Sequence, residues 1–124
     1  MTSQLFIPAP LNRHRNPEWI NSNDRDHWAT RNRKTKKWRN TTHWLARAAK
    51  LPKNLDHVTI TGHVNKTNTA AYDAHNLMPT LKAIVDGLVD YGLIPDDHNK
   101  YLTGPDIRPG NRQEQAGITI TFTA

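Results

Sequence analysis

The stretch YDAHNLMPTLKAIVDGLVDYGLIPDDHNK, residues 72–100, decides the fold because it contains the clearest helical pattern in the chain. Its apolar residues recur at the spacing of one stripe on an α-helix, and they are Leu77, Leu81, Ile84, Val85 and Leu88. Pro79 suits the first turn of a helix, and Gly92 suits the left-handed position that ends one. The pattern therefore predicts a helix from about Pro79 to Tyr91.

Polar side chains of the kind that bind hard cations lie at both ends of this predicted helix. Asp73, His75 and Asn76 precede it, and Asp96 and Asp97 follow it. The helix is roughly 20 Å long at 1.5 Å per residue, so Asp73 and Asp97 can share an ion only if the flanking segments fold back beside each other. From the spacing alone a turn is the simpler interpretation, because Asp caps turns and an Asp pair after Pro is typical of one.

The order of these residues resembles the RusA family of Holliday junction resolvases, which are small endonucleases of phages and prophages. The similarity is close over residues 73–97 and loose over most of the chain. It implies that Asp73, Lys82 and Asp97 are catalytic and that Asn76 supports them. It also implies a site for Mg²⁺ or Mn²⁺, with Asp73, His75, Asp96 and Asp97 as ligands. Asp86, one turn after Lys82, is interpreted as its partner in a solvated ion pair.

Two features depart from the family pattern. His75 occupies the position of the second acidic residue, and three extra residues, Pro79 among them, separate Asn76 from Lys82. An imidazole ligand favours Mn²⁺ or Zn²⁺ over Mg²⁺, so this replacement should weaken Mg²⁺ binding. Both an adapted metal ligand and a bystander are open interpretations of His75.

The function implied by the resemblance is metal-dependent hydrolysis of two strands of a four-way DNA junction or another branched DNA, during phage recombination or replication. Symmetric cutting needs two active sites, so a two-fold homodimer is expected. The alternative is a catalytically weakened RusA-like protein that serves as a branched-DNA-binding module. An RNA-binding protein with a basic, Trp-bearing helix is a third hypothesis, and it leaves the acidic residues unexplained.

The length and charge of the chain limit its domain organisation and its binding partners. The 124 residues fit a single domain, 1–124, with a modest core. Residues 1–53 hold 12 Lys and Arg against three acids, a net charge of +9, whereas residues 54–124 hold five against eight, a net charge of −3. Residues 1–53 are thus suited to bind a polyanion, and residues 54–124 are suited to bind cations.

The chain contains no Cys, which excludes disulfides and thiolate metal sites. No apolar run has the length of a signal peptide or of a membrane helix. We therefore expect no membrane partner and a cytoplasmic location, which would be the host cytoplasm if a phage encodes the protein.

The basic segment, residues 31–53, is expected to form a helix that ends near Pro52. One-signed clustering of this kind favours phosphate contact, and the predicted DNA-binding residues are Arg31, Arg33, Lys34, Lys36, Lys37 and Arg39. Trp38, with Leu45 and Ala49, is interpreted mainly as core. Base stacking or wedging into a junction is the other interpretation of the tryptophans, Trp44 included.

Four strands complete the predicted fold. Leu5–Pro10 is expected at a sheet edge because it contains two prolines, and residues 58–64 alternate as a strand with a weakening or bulge at Gly62. Lys100–Ile107 and the alternating residues 118–122 give two more. The order strand, helix, strand, helix, strand, strand predicts an α+β domain, one small mixed sheet covered by two main helices.

Overall fold

The computed structural model describes all residues 1–124 and has an α+β architecture of one four-stranded sheet and two helices. In chain order the elements are β1 Thr2–Pro8, α1 Trp28–Ala48, β2 Val58–Asn65, a 3-10 helix Ala74–Leu77, α2 Met78–Tyr91, β3 Leu102–Pro109 and β4 Gly117–Thr123. The predicted order of elements and the predicted mixed sheet are confirmed. Neither helix is long and apolar enough to cross a membrane.

The sheet has the strand order β1-β4-β2-β3. Strand β4 pairs antiparallel with both β1 and β2, whereas β2 and β3 are parallel. Because parallel neighbours need a crossover connection, α2 runs between them and forms a βαβ unit with β2 and β3. The edge position predicted for the first strand is confirmed, although that strand begins at Thr2 and ends at Pro8.

Helix α2 follows the predicted pattern closely. It begins at Met78 and ends at Tyr91, and Gly92 caps it with a φ of 101°. Its apolar stripe packs on the sheet, where Leu81 lies against Gly62. A Cβ on Gly62 would approach the Leu81 side chain to 2.8 Å. Gly62 therefore permits close helix–sheet packing, and the bulge predicted there is wrong.

The irregularity of the sheet lies instead between β2 and β3. The register shifts between Thr59 and Thr61, where β3 contributes an extra residue in the segment Gly104–Pro105. Gly104 has a φ of 97°, and a cis peptide bond joins it to Pro105. This segment forms one wall of the candidate site described below.

Helix α1 packs closely against α2 where Thr42 meets Gly87. Trp38, Thr42 and Ala46 are buried, which confirms the core interpretation of Trp38. Gly87 of α2 lies so close to α1 that an added Cβ would come within 2.5 Å of the Arg39 carbonyl oxygen. The helix ends at Ala48, short of Pro52, and the prediction of Ala49 as core is wrong because Ala49 is exposed.

Only one face of the sheet contributes to the main core. Strand residues such as Ile7, Ile60 and Phe122 are fully buried with residues from both helices. The alternate residues of β2 and β4 are mostly threonines with partial exposure. The helices therefore shield one face, and the functional side chains described next lie where α2 meets the edge strand β3.

Candidate active site

A cleft between α2 and β3 gathers three charged side chains. Lys82 and Asp86 reach it from successive turns of α2, and Asp97 reaches it from the loop that follows the helix. The apolar and backbone parts of its lining come from Met78, Val85, Leu102, Gly104 and Pro105. Two predicted catalytic residues, Lys82 and Asp97, thus line the same cleft.

Asp86 is the most electrostatically perturbed group of this cleft. Burial raises the pKa of its carboxyl above the usual range, and the nearby Asp97 and Asp90 raise it further, against the opposing effect of Arg39 and Lys82. No ion pair joins Asp86 to Lys82, so the solvated pair expected from the sequence is wrong. A carboxyl in this setting is suited to hold a proton or to meet a cation.

Asp73 and His75 line a neighbouring depression. Its other walls are Tyr72, Ala74 and residues Asp106–Pro109 of β3, directly beyond the part of β3 that borders the cleft. Asp73 Oδ1 accepts a hydrogen bond from the His75 backbone N at 3.0 Å and so begins the 3-10 helix. His75 Nδ1 lies 3.9 Å from the same oxygen, and both side chains are largely exposed.

The remaining predicted site residues have local roles. Asp96 Oδ1 accepts a hydrogen bond from the Asp97 backbone N at 2.8 Å, and Asp96 lines neither depression. Asn76 anchors the segment before α1, because its backbone oxygen accepts a bond from Ser22 N at 2.7 Å. Asp96 therefore shapes the turn that presents Asp97, and Asn76 ties the start of α2 to the N-terminal part of the chain.

The donor atoms of the cleft suit a hard divalent cation, but their arrangement is not that of a complete metal site. Asp86 and Asp97 offer only oxygen donors, which Mg²⁺ and Mn²⁺ prefer, and their mutual repulsion raises the pKa of Asp86. The side chains of Asp73 and Asp97 line separate depressions, and no group of three or more His, Asp or Glu is arranged to hold a metal ion. The ligand set implied by the resemblance stays a prediction.

The predicted DNA-binding cations of α1 have a different setting from the one expected. Arg33 and Lys37 each lie 2.8 Å from the carboxylate of Glu18, whose side chain is only 3% exposed. Lys34 pairs with Asp26 at 2.8 Å, and Arg39 Nη2 donates to Asp90 at 2.8 Å.

The other two cations of this set have no carboxylate partner. Arg31 donates to the backbone oxygen of Asn21 at 3.3 Å, and Lys36 forms no ion pair. Four of the six cations are therefore partly neutralised by acids that lie outside α1. DNA contact by these residues stays a prediction.

No family model matches this chain, and no curated protein is significantly similar to it. The family resemblance depends on the residues within segment 73–97 and stays a prediction. The chemistry of the side chains in and beside the α2–β3 cleft is what supports a functional interpretation.

Sequence reasoning missed Lys66 and assigned Asp86 only to an ion pair with Lys82. Asp86 carried a usable signal, because a position one turn after Lys82 shares its helix face. Lys66 carried none: its ammonium lies 5.3 Å from the ring centroid of Trp19 and 4.9 Å from that of Tyr72, and these rings come from two other segments. Burial lowers the pKa of Lys66. This cation thus lies beside the residue that precedes Asp73.

Proposed function

We propose that the protein is a metal-dependent endodeoxyribonuclease that cuts branched DNA, with the four-way junction as its substrate, in the manner implied by its resemblance to RusA resolvases. The observation that supports this most is the shared cleft of Lys82, Asp86 and Asp97. A cation and two carboxylates in one exposed cleft are the side chains needed to bind a phosphodiester and to activate water against it.

The proposed chemistry is in-line hydrolysis of a phosphodiester. Asp86 and Asp97 would hold Mg²⁺ or Mn²⁺, which supplies Lewis-acid polarisation of the phosphate when bound. Lys82 binds a non-bridging phosphate oxygen and offsets the negative charge that grows on it. Water attacks phosphorus and releases a proton to solvent, the bond from phosphorus to the departing nucleoside oxygen breaks, and that oxygen takes a proton from solvent.

Asp73 and His75 extend the proposed site along β3. Their depression lies next to the cleft on the same edge strand, and both side chains are accessible to a large substrate. A bound strand that follows the edge of β3 would pass from Asp97 to Asp73. The resemblance implies that His75 also becomes a metal ligand when substrate is bound, and its nitrogen donor should then make Mn²⁺ support more activity than Mg²⁺.

Two-fold symmetry of the assembly is part of the proposal. Resolution of a junction requires two cuts related by symmetry, and a homodimer presents two equivalent clefts. The size of the domain agrees with this, since a chain of 124 residues buries only a modest core of its own. Sedimentation at micromolar concentration should give twice the monomer mass.

The test uses a synthetic four-way junction with labelled arms. Purified protein with Mn²⁺ or Mg²⁺ should cut it, and Asp97→Asn and Asp73→Asn should each lower the rate by about 100-fold or more, in line with the loss of a preorganised charge at an active site. Asp56→Asn, an exposed Asp outside both depressions, is the matched control and should cut normally. Failure of the wild type to cut with either metal, or equal cutting by Asp97→Asn, refutes the proposal.

A second candidate function is binding of branched DNA without cleavage. The observation that favours it is His75, which is 77% exposed and replaces an acid of the family pattern. His75→Asp separates the two functions. A large gain in cleavage would indicate a decayed enzyme, whereas a loss would indicate that His75 is an adapted ligand.

A further inference from the structure

One stripe of helix α1 faces solvent along several turns. Lys36, Asn40, Trp44 and Arg47 recur at intervals of four, four and three residues, which places them on one side of a helix. All four are exposed, and the buried residues Trp38, Thr42 and Ala46 lie on the other side. We refer to Lys36, Asn40, Trp44 and Arg47 as the outer face of α1.

The outer face carries cations that no carboxylate neutralises. Lys36 and Arg47 form no ion pair, and α1 contains no acidic residue. Arg33 and Lys37, beside this face, pair with Glu18 yet keep 49% and 42% of their side chains exposed. A shallow depression continues the face toward the start of α1, and it is lined by Trp28, Ala29, Asn32, Arg33, Lys36, Lys37 and Asn40.

Trp44 is the apolar member of the outer face. Its side chain is 62% exposed, whereas Trp38 on the same helix is fully buried. The guanidinium carbon of Arg47 lies 5.4 Å from the centroid of the Trp44 ring. A tryptophan left in water beside cations offers a flat π surface with positive charge at its border. Such a surface is complementary to a polyanion that itself has flat aromatic faces.

The side chains of the outer face indicate which kind of polyanion it is suited to bind. An anionic membrane surface would require a broad aliphatic or aromatic surface to insert, whereas the outer face and its adjoining depression offer only Trp44 and Trp28 among Ala, Asn, Lys and Arg. Base pairs inside a duplex have both faces covered by their neighbours, whereas unpaired bases offer a face for stacking. We propose that the outer face of α1 binds unpaired DNA, with Trp44 stacked on a base and Lys36 and Arg47 on flanking phosphates; the choice of DNA over RNA rests on the proposed function. This binding does not require the α2–β3 cleft to be catalytic.

Binding is measured in EDTA, so that cleavage plays no part, by titrating the protein with a 16-nucleotide oligothymidylate. Base stacking should quench tryptophan fluorescence, and Trp44→Leu should remove most of the quenching and lower affinity by about 10-fold. Lys36→Gln and Arg47→Gln should each reduce the slope of log K against log salt by about 0.7. Arg112→Gln, an exposed cation that also lacks an ion pair, is the matched control and should leave the slope unchanged.

Three results would overturn the proposal. The first is equal affinity and quenching for Trp44→Leu and wild type, with unchanged thermal unfolding as proof that the variant is folded. The second is tighter binding to a 16-base-pair duplex than to the oligothymidylate. The third is tighter binding to oligouridylate than to oligothymidylate, which would identify RNA as the partner. A junction left uncut with Mn²⁺ would refute the nuclease alone and would leave this binding test unaffected.

Discussion

Glu18→Gln is the perturbation that separates the structural role of the α1 cations from a role in DNA binding. Gln keeps the shape of the side chain and removes the charge that holds Arg33 and Lys37. The carboxylate is buried at 3% exposure, and burial alone would raise its pKa, but hydrogen bonds from Lys37 and Arg33 outweigh this and lower the pKa below 4.5. The variant should therefore lose stability and at the same time free two cations.

The expected loss of stability in Glu18→Gln follows from the two contacts of Glu18 with Arg33 and Lys37. A hydrogen bond to a charged group contributes about 1.5–3 kcal/mol, and here both donors are about half exposed, which reduces the value. We expect Glu18→Gln to lower the free energy of unfolding by about 2 kcal/mol, and Tm by roughly 8 °C for a domain of this size. Release of both cations should steepen the salt dependence of duplex DNA binding by up to about 1.8 in slope.

Urea unfolding at several pH values checks the stability part. A group with a lowered pKa stabilises the fold above its unfolded pKa and ceases to do so as the pH falls through its folded pKa. The deficit of Glu18→Gln should therefore be full above pH 4.5 and shrink in more acidic solution. Asp26→Asn, which frees Lys34 alone, is the control and should cost about 1 kcal/mol. An unchanged stability at pH 7, or a deficit that grows in acid, would refute this account of Glu18.

Three further predictions concern helix α2 and its contacts. Asp86→Asn should raise stability at neutral pH. The stabilising contribution of a carboxyl with a raised pKa is full below its unfolded value of 3.8 and is lost as the pH rises through its higher folded pKa. The gain over wild type, followed by thermal unfolding, should therefore vanish in acid. Gly87→Ala would gain about 1 kcal/mol of helix propensity, but its Cβ would meet the Arg39 carbonyl oxygen at 2.5 Å. Urea unfolding should show a net loss of about 1–2 kcal/mol, and a gain would contradict the close packing of the helices. Arg39→Ala should cost about 1 kcal/mol at pH 7, and the deficit should shrink as the pH falls below 3.8, since the pKa of Asp90 is lowered chiefly by its hydrogen bond from Arg39.

The parts of the fold that the sequence predicted are those where burial follows a simple period. Leu81, Ile84 and Leu88 mark the buried stripe of α2, and Ile118 and Ile120 mark the buried side of β4. In each case apolar residues make up most of the side chains that face the core. The prediction was therefore accurate for both elements.

Prediction was poorer where polar or small residues fill the core. The buried stripe of α1 is Trp38, Thr42 and Ala46, and Thr42 is tolerated there because its hydroxyl donates to the Trp38 carbonyl oxygen at 2.8 Å. Apolar periodicity does not indicate that such a Thr is buried, and it led to the wrong prediction that Ala49 is part of the core. Strand β3 was shifted by two residues because only Leu102 and Ile107 in it are buried.

Only part of the cleft could be predicted from the sequence, because the predicted residues Asp73, His75 and Asp96 do not line it. Lys82 and Asp97 were identified by their order along the chain, and both line the α2–β3 cleft. The half-burial of Asp86 depends on how closely the loop after α2 approaches β3, which no local pattern encodes. The same limit applied to α1, whose cations pair with Glu18 and Asp90 from distant parts of the chain.

The most direct test of the central claim is the location of a divalent cation in a crystal soaked in MnCl₂. The account predicts an anomalous peak in the α2–β3 cleft, within about 2.0–2.6 Å of carboxylate oxygens of Asp97 and Asp86 as for other hard divalent cations, and loss of that peak in Asp97→Asn. A peak at another site, or a cleft without manganese at saturating concentration, would contradict the assignment of these side chains to a metal-dependent nuclease.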